Sequence, residues 1–364
     1  MHLLILGGSP NHLGGMEAMR DRSVQALLER DDWDVRLLPT NTAYLKARSL
    51  PVLLSSLAKL VHLRFRRPDA VWLNYVNLPD LLFLGIARIL GFRVIVTPHL
   101  GSTARSQADA KLRRLSCWLL GFANGLALLA RTQELEVDLP VNVKRWYIKT
   151  FLPATIIKGK LEGRQASSEL RLLHASRLSE LKGTFAFVRV CEHLKKNGVS
   201  FTASIAGGAD EQTFRRLHSA IAECGLTDHI RVLGHRSDAD MRSLLLSSDV
   251  LVHLSMADSY PLVVLEALAC GAFPLCTDLL GARDMITTYD GHLVSREQAV
   301  EEAAAFLSSV ALEEIARRSA AVAERVRVDY EWGECASLLG EALRASVRRN
   351  VSVRPGLTPL EPGE

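Results

Sequence analysis

The chain has 364 residues, of which 44 are Lys or Arg and 40 are Asp or Glu, and its mean hydropathy is +0.11. Near-balanced charge and an ordinary apolar share exclude a disordered or collagen-like chain and predict a globular protein of about two domains. The longest uncharged run, 115–130, is broken by two glycines and an asparagine and falls short of the roughly 20 apolar residues of a membrane span.

The first apolar run, His2–Leu6, meets Gly7-Gly8 with no basic stretch before it, which predicts a buried strand and not a signal peptide. Further short apolar runs bounded by turn residues follow at Asp34–Leu38, Ala70–Asn74, Arg93–Pro98, Gly125–Ala130 and Arg145–Ile148. Amphipathic stretches at Met16–Glu29, Leu50–Phe65 and Pro79–Leu90 lie between them and predict helices. After Phe151-Leu152-Pro153 the polar, aperiodic segment 156–169 predicts a linker. The pattern then restarts with Leu170–Ala175, Phe201–Ala206, Ile230–Leu233, Val250–Leu254, Phe273–Thr277 and His292–Val294. Strand–helix alternation predicts parallel sheets covered on both faces by helices. The expected fold class is therefore α/β, with two doubly wound domains over 1–155 and 170–330. Three prolines and two glycines in 349–364 predict a tail with little structure of its own.

The six cysteines are scattered with no CxxC pair, which suits packed thiols in a reducing cytoplasm, and no Cys/His spacing predicts a metal site. Residues 1–155 carry a formal +8 and the remainder −4. A basic half suits an anionic partner, a membrane surface or a phosphorylated acceptor, whereas its dispersed cations and the lack of a binding motif argue against nucleic acid. Lys46, Arg48, Lys59, Arg64, Arg66 and Arg67 surround a leucine-rich stretch that either covers the sheet as a core helix or meets a membrane.

Ligands of open parallel sheets bind beyond the carboxyl ends of strands, and four motifs fall there. In Ser255–Gly271, Asp258 or Ser259 is a natural helix N-cap and Pro261 suits the first turn. Free amides at such a terminus, running through Ser259, Tyr260, Pro261 and Leu262, make an anion site. Glu266 interrupts an apolar helix and needs hydrogen-bond donors, for which ribose hydroxyls are suitable and a structural salt bridge is the alternative. Asp258, eight residues earlier, is placed to reach the hydroxyls of a sugar. In Ala175–Gly183, Arg177 and Lys182 supply a forked and a point cation for a diphosphate. In Gly7–Glu17, glycines including Gly14 and Gly15 permit close backbone approach, although their spacing is not that of a dinucleotide fingerprint. In Thr97–Ser102, His99 ends a strand and can hold a hydroxyl or relay a proton.

With these residues the chain resembles the family 4 retaining, nucleotide-sugar-dependent glycosyltransferases, whose fold is GT-B, two Rossmann-like domains facing across a cleft. The family's carboxylate pair falls on Asp258 and Glu266, its diphosphate cations on Arg177 and Lys182, its glycine loop on Gly14 and Gly15, and its cleft histidine on His99. Ile205-Ala206-Gly207-Gly208 and Val232-Leu233-Gly234 are similar to segments near the nucleotide base, and Gly281-Ala282-Arg283-Asp284 to the loop behind the donor site. Asp258 and Asp284 stand where glutamates are usual, and 148–153 is looser than the family's interdomain connection. The resemblance implies that the helix over 331–348 returns to the first domain. It also implies metal-independent transfer, with no cofactor, of a hexose-type sugar from a UDP- or GDP-linked donor. The acceptor would be a hydroxyl on a glycan, a glycolipid or a small molecule. A peripheral enzyme of bacterial polysaccharide assembly at the inner membrane face is the expectation. A catalytically silent binding subunit and a sugar-nucleotide epimerase or hydrolase on the same fold are the alternatives. A nicotinamide dehydrogenase is disfavoured by the glycine spacing.

Overall fold

The computed structural model describes residues 1–9, 14–30, 32–42, 50–161 and 169–347. Lys46, Arg48, the Arg66 side chain, residues 10–13 of the glycine motif, 162–168 of the expected linker and the tail 349–364 lie outside the described residues.

The first domain runs β1 (His2–Leu6), α1 (Gly15–Leu28), β2 (Asp34–Leu38), α2 (Leu50–His62), β3 (Ala70–Tyr75), α3 (Asp80–Ile89), β4 (Val94–Pro98), α4 (Arg105–Ala108), α5 (Ala110–Leu120), β5 (Gly125–Leu128), α6 (Gln133–Glu136), β6 (Arg145–Tyr147) and α7 (Ala154–Ile157). The second runs β7 (Leu170–Ala175), α8 (Thr184–Lys196), β8 (Phe201–Ala206), α9 (Glu211–Glu223), β9 (Ile230–Gly234), α10 (Asp238–Ser247), β10 (Val250–His253), α11 (Leu262–Ala269), β11 (Phe273–Thr277), α12 (Leu280–Thr288), β12 (His292–Val294), α13 (Ala299–Ser309) and α14 (Leu312–Asp329). A last helix, α15 (Trp332–Val347), packs back on α1 and on β3–β5.

Both sheets are six-stranded and parallel, with orders β2-β1-β3-β4-β5-β6 and β12-β11-β10-β7-β8-β9. Chain order reverses between β1 and β3 in the first sheet and between β7 and β10 in the second. Such switch points open crevices at strand carboxyl ends, and every expected motif follows one of the strands at or near them. The central strands are buried along their length, as for sheets covered on both faces.

Several element ends differ from expectation. The fifth strand stops at Leu128 because the Gln133 side chain accepts hydrogen bonds from the Leu129 and Ala130 amides. The Leu50–Phe65 helix is α2 followed by a 3-10 turn, Leu63–Arg66. Gly281-Ala282-Arg283-Asp284 is not a loop but the first turns of α12. The start of the expected linker is anchored: Arg327 of α14 donates to the carbonyls of Ile156, at 2.6 Å, and Gly159. Trp332 Nε1 donates to Leu152 O at 2.9 Å, which ties α15 to the end of the first domain.

Candidate active site

In the second domain the loop after β7 is held by a buried histidine. His174 Nδ1 faces the Val252 carbonyl at 3.1 Å and so donates to it, which leaves Nε2 to accept from the Thr184 hydroxyl at 3.2 Å, with Ser176 Oγ, whose proton goes to Arg177 O, 3.1 Å away. Burial brings this imidazole down to about 4, so it is neutral. Gly207 has φ +149°, and an added Cβ would stand 1.7 Å from Ser176 O, so only glycine lets β8 end against this loop. Arg177 leaves the loop exposed. Lys182 turns inward, and its Nζ donates to Ala257 O at 2.8 Å and to Asp258 Oδ2 at 2.7 Å.

Asp258 is therefore a partner of the cation and not the helix cap that its position suggested. Burial alone would push its carboxyl up. The neighbouring His253 at 3.4 Å and the Lys182 charge outweigh burial and bring it down to about 2. Ser259 does not cap the helix either. Pro261 is the cap residue, without a side-chain hydrogen bond, so the first turn of α11 has no side-chain acceptor from its own cap. The Ser259 carbonyl is packed on Gly281, where a Cβ would come within 1.9 Å. Tyr260 OH meets Tyr330 OH at 3.0 Å.

In the first domain α1 begins at Gly15, with Gly14 as an extended cap that has no side chain to offer. His99 follows β4. Its Nε2 lies 2.8 Å from Asn74 Oδ1, while Asn74 Nδ2 donates to Leu6 O at 3.3 Å. Oδ1 is then the acceptor, Nε2 carries the proton and Nδ1 is left as an acceptor. Burial lowers this histidine to about 3, so it serves as a neutral hydrogen-bond group and is a poor proton relay near neutrality.

The two domains meet directly. A Cβ at Gly15 would lie 3.7 Å from Leu262 Cδ1, so the amino ends of α1 and α11 face each other. A Cβ at Gly101 would lie 3.1 Å from Ser259 Cβ and 3.3 Å from Glu136 Oε2. Arg22 of α1 is buried and donates from Nη1 to Glu266 Oε1 at 2.9 Å and from Nη2 to Asp238 Oδ1 at 3.1 Å. Burial would lower the guanidinium pKa, but the charges of Glu266 and Asp238 raise it above its ordinary value. Glu266 thus ends on a cation of the opposite domain. A cavity of about 330 Å³ lined by His2, Asp34 and Arg67 lies at the other, amino-terminal end of the first sheet, away from all of these residues.

Residues 162–326 match the family described as Glycosyl transferases group 1. The amylovoran biosynthesis glycosyltransferase AmsK of Erwinia amylovora is 26% identical over 171 residues, 45% of this chain and 42% of that protein. A D-inositol 3-phosphate glycosyltransferase of Paenarthrobacter aurescens is 31% identical over 40% of this chain and 38% of its own. The matched segments thus span less than half the length of these relatives. Among solved structures, Anabaena HepE in complex with UDP and glucose superposes with a TM-score of 0.72 at 17% identity, over 95% of this chain and 100% of that one. Sucrose-phosphate synthase from Thermosynechococcus elongatus gives 0.74 at 18%, over 95% and 99%. This is the GT-B fold. The relatives together support a glycosyltransferase.

Within that GT-B frame, Lys182, Asp258 and Ser259 lie on adjoining loops of the second domain, with Arg177 exposed on the loop of Lys182, and Leu262 opens α11 where Gly15 faces it from the first. Gly207 and Tyr260 act through packing at their edge. Sequence reasoning missed Arg22, His174, His253 and Glu136. A histidine inside the apolar strand Leu170–Ala175 was a legible signal for His174, since a buried polar group requires partners. Nothing local marked Arg22 or Glu136. Among the described residues no group of three or more His, Cys, Asp or Glu side chains could hold a metal ion.

Proposed function

We propose that the protein is a retaining, metal-independent glycosyltransferase that moves a hexose-type sugar from a nucleoside diphosphate to a hydroxyl acceptor. The observation that carries this reading is the meeting of the amino ends of α1 and α11 beside Lys182 and Asp258, at the carboxyl ends of both sheets. Two helix dipoles and two cations suit a diphosphate, and the carboxylates suit sugar hydroxyls. Charge growing on the departing diphosphate would be met by Lys182, Arg177 and the first turn of α11, an arrangement of the oxyanion-hole kind. Asp258 would orient the sugar, and His99 Nδ1 would accept from a hydroxyl. The contacts Arg22–Glu266 and Gly101–Ser259 close the space between the domains. Donor entry then requires the domains to part, and Glu266 exchanges Arg22 for the ribose. Reclosure excludes water and suppresses hydrolysis.

The names of the relatives support a donor linked to UDP or GDP and an acceptor in polysaccharide assembly: HepE was crystallised with UDP and glucose, AmsK acts in amylovoran biosynthesis, and a further relative from Xanthomonas oryzae is a GDP-mannose:cellobiosyl-diphosphopolyprenol alpha-mannosyltransferase. No helix among the described residues is long and apolar enough to cross a membrane. However, α2 buries only Leu53, Ser56 and Leu60 and exposes a second apolar stripe, Leu50, Leu54 and Val61, continued by Phe65 at 83% exposure. Lys59, Arg64 and Arg67 are exposed around it. We infer from this pairing a peripheral protein at the cytoplasmic face of an anionic membrane. Vesicle flotation checks it: capture by anionic and not by neutral vesicles, weakened by Phe65→Ser, is expected, and no capture at low salt would sink it.

The donor site is tested by a thermal-shift panel of UDP, GDP, ADP, CMP and NAD, with and without EDTA. A rise with one nucleoside diphosphate that EDTA leaves unchanged is expected. No rise with any diphosphate would refute the donor reading and favour a silent binding subunit.

A further inference from the structure

Two acids of the first domain are held in opposite ways. Asp80, at the start of α3, is 1% exposed and fully occupied: its oxygens accept from the hydroxyls of Thr40 and Thr42 and from the amides of Val76 and Asn77. Glu136, at the end of α6, has a buried Oε2 with no hydrogen-bond partner. A carboxylate oxygen left in that condition is costly and needs an explanation.

The local structure fixes Glu136 in place. Gln133 accepts from the Leu129 and Ala130 amides and donates from Nε2 to Pro98 O at 2.9 Å, so α6 is tied to the ends of both β4 and β5. Glu134, two residues earlier, is turned away and taken by Arg145 and Tyr147. Glu136 instead points to Gly101, whose missing side chain leaves the room in which Glu136 and Ser259 of the second domain come together. Asp258 is next to Ser259 and acts on Glu136 as a like charge. Asp258 has Lys182 for a partner, whereas Glu136 has no salt bridge among the described residues.

We propose that Glu136 is a sugar-binding residue of the first domain, whose carboxyl group takes the hydroxyls of the transferred sugar from the side opposite Asp258. The assignment rests on the transferase reading above, because it needs a sugar held between the α11 terminus and the first domain. Vicinal hydroxyls offer the donors that Oε2 lacks, and a sugar entering between the domains removes the two carboxyl groups from each other. Burial, then the Asp258 charge, push the Glu136 carboxyl up to about 7, so near neutrality it can accept from one hydroxyl and donate to another. Asp258, held ionised by Lys182, can only accept. The two acids would thus read different hydroxyls of the same sugar.

The test is calorimetric titration of the full chain and its Glu136→Ala and Glu136→Gln variants. The probes are UDP and GDP, then UDP-glucose, UDP-galactose, UDP-N-acetylglucosamine and GDP-mannose. For Glu136→Ala, affinity for the nucleoside diphosphate is expected within about twofold of wild type, because that contact lies elsewhere. Affinity for the preferred sugar nucleotide should fall by about 10-fold or more. Glu136→Gln, which keeps one acceptor and gains a donor, should fall by less. Both variants should melt at or above the wild-type temperature, since no Oε2 hydrogen bond is lost. Unchanged sugar-nucleotide affinity and transfer rate in a folded Glu136→Ala protein would overturn the assignment. If wild type binds neither UDP nor GDP, the transferase reading itself fails, which is a separate result.

Discussion

Removing Arg22 tests the interdomain contact most directly. Its side chain and that of Glu266 are only 10% and 11% exposed, and they meet at 2.9 Å. Arg22→Ala leaves the Glu266 carboxylate buried without its cation. Breaking one side of a buried pair costs about 3–5 kcal/mol, and the lower end applies because water can enter between the domains. Asp238, at 55% exposure, adds little, since exposed pairs contribute about 0–1 kcal/mol. At about 2–4 °C per kcal/mol for a unit of about 150–250 residues, the size of each domain, the melting temperature should fall by about 6 °C or more. Glu266→Gln should cost less, because Arg22 keeps Asp238. The double variant should recover part of the loss, because no bare carboxylate remains. Calorimetric melting of all four proteins measures the coupling. The same cycle read by UDP or GDP titration should give tighter nucleotide binding in Arg22→Ala, where Glu266 no longer has to be released. A melting temperature within about 1 °C of wild type, or strictly additive losses, would refute the reasoning.

Lys182→Ala frees Asp258 and, on the proposed donor reading, removes a cation from the diphosphate. Transfer should fall by about 100- to 1,000-fold, with the Asp258 carboxyl titrating higher, as read by the pH dependence of unfolding. In the intact protein Asp258 sits at about 2 against an ordinary 3.8. Its contribution is therefore present above about pH 4 and lost as pH falls through about 2. The size is about 2 kcal/mol, and urea titrations of Asp258→Asn across that window should lack it. Gly183 has φ +77°, and a Cβ there would stand 2.1 Å from Leu254 O. Gly183→Ala should cost at least about 2 kcal/mol and displace Lys182. Wild-type melting and full activity in that variant would contradict the packing described for this loop.

What was readable in the linear chain was readable for local reasons. Alternation of apolar runs and amphipathic stretches needs only neighbouring residues, and it placed all twelve strands to within a residue or two at their ends. Arg177 and Lys182 could be assigned to one loop because a strand end precedes them. Asp258 and Glu266 fell on a loop and the helix that follows because Gly271 and Pro261 punctuate that segment. The misplaced helix cap has a similarly local origin. Asp258 has the composition of a cap, but Lys182, 76 residues away, competes for its carboxylate and wins.

The remaining site residues depend on distances that run through space. Arg22 and Glu266 are 244 residues apart and belong to different sheets. Neither the partner of Glu266 nor the unpaired Oε2 of Glu136 exists until the two domains pack. A charge pair between domains has no sequence period, because its geometry is set by how two rigid sheets settle against each other. The sequence by itself determined the strands, the helices and which loops follow the strand ends at the switch points. The tertiary structure decided which of those charges neutralise one another and which one is left facing the space between the domains.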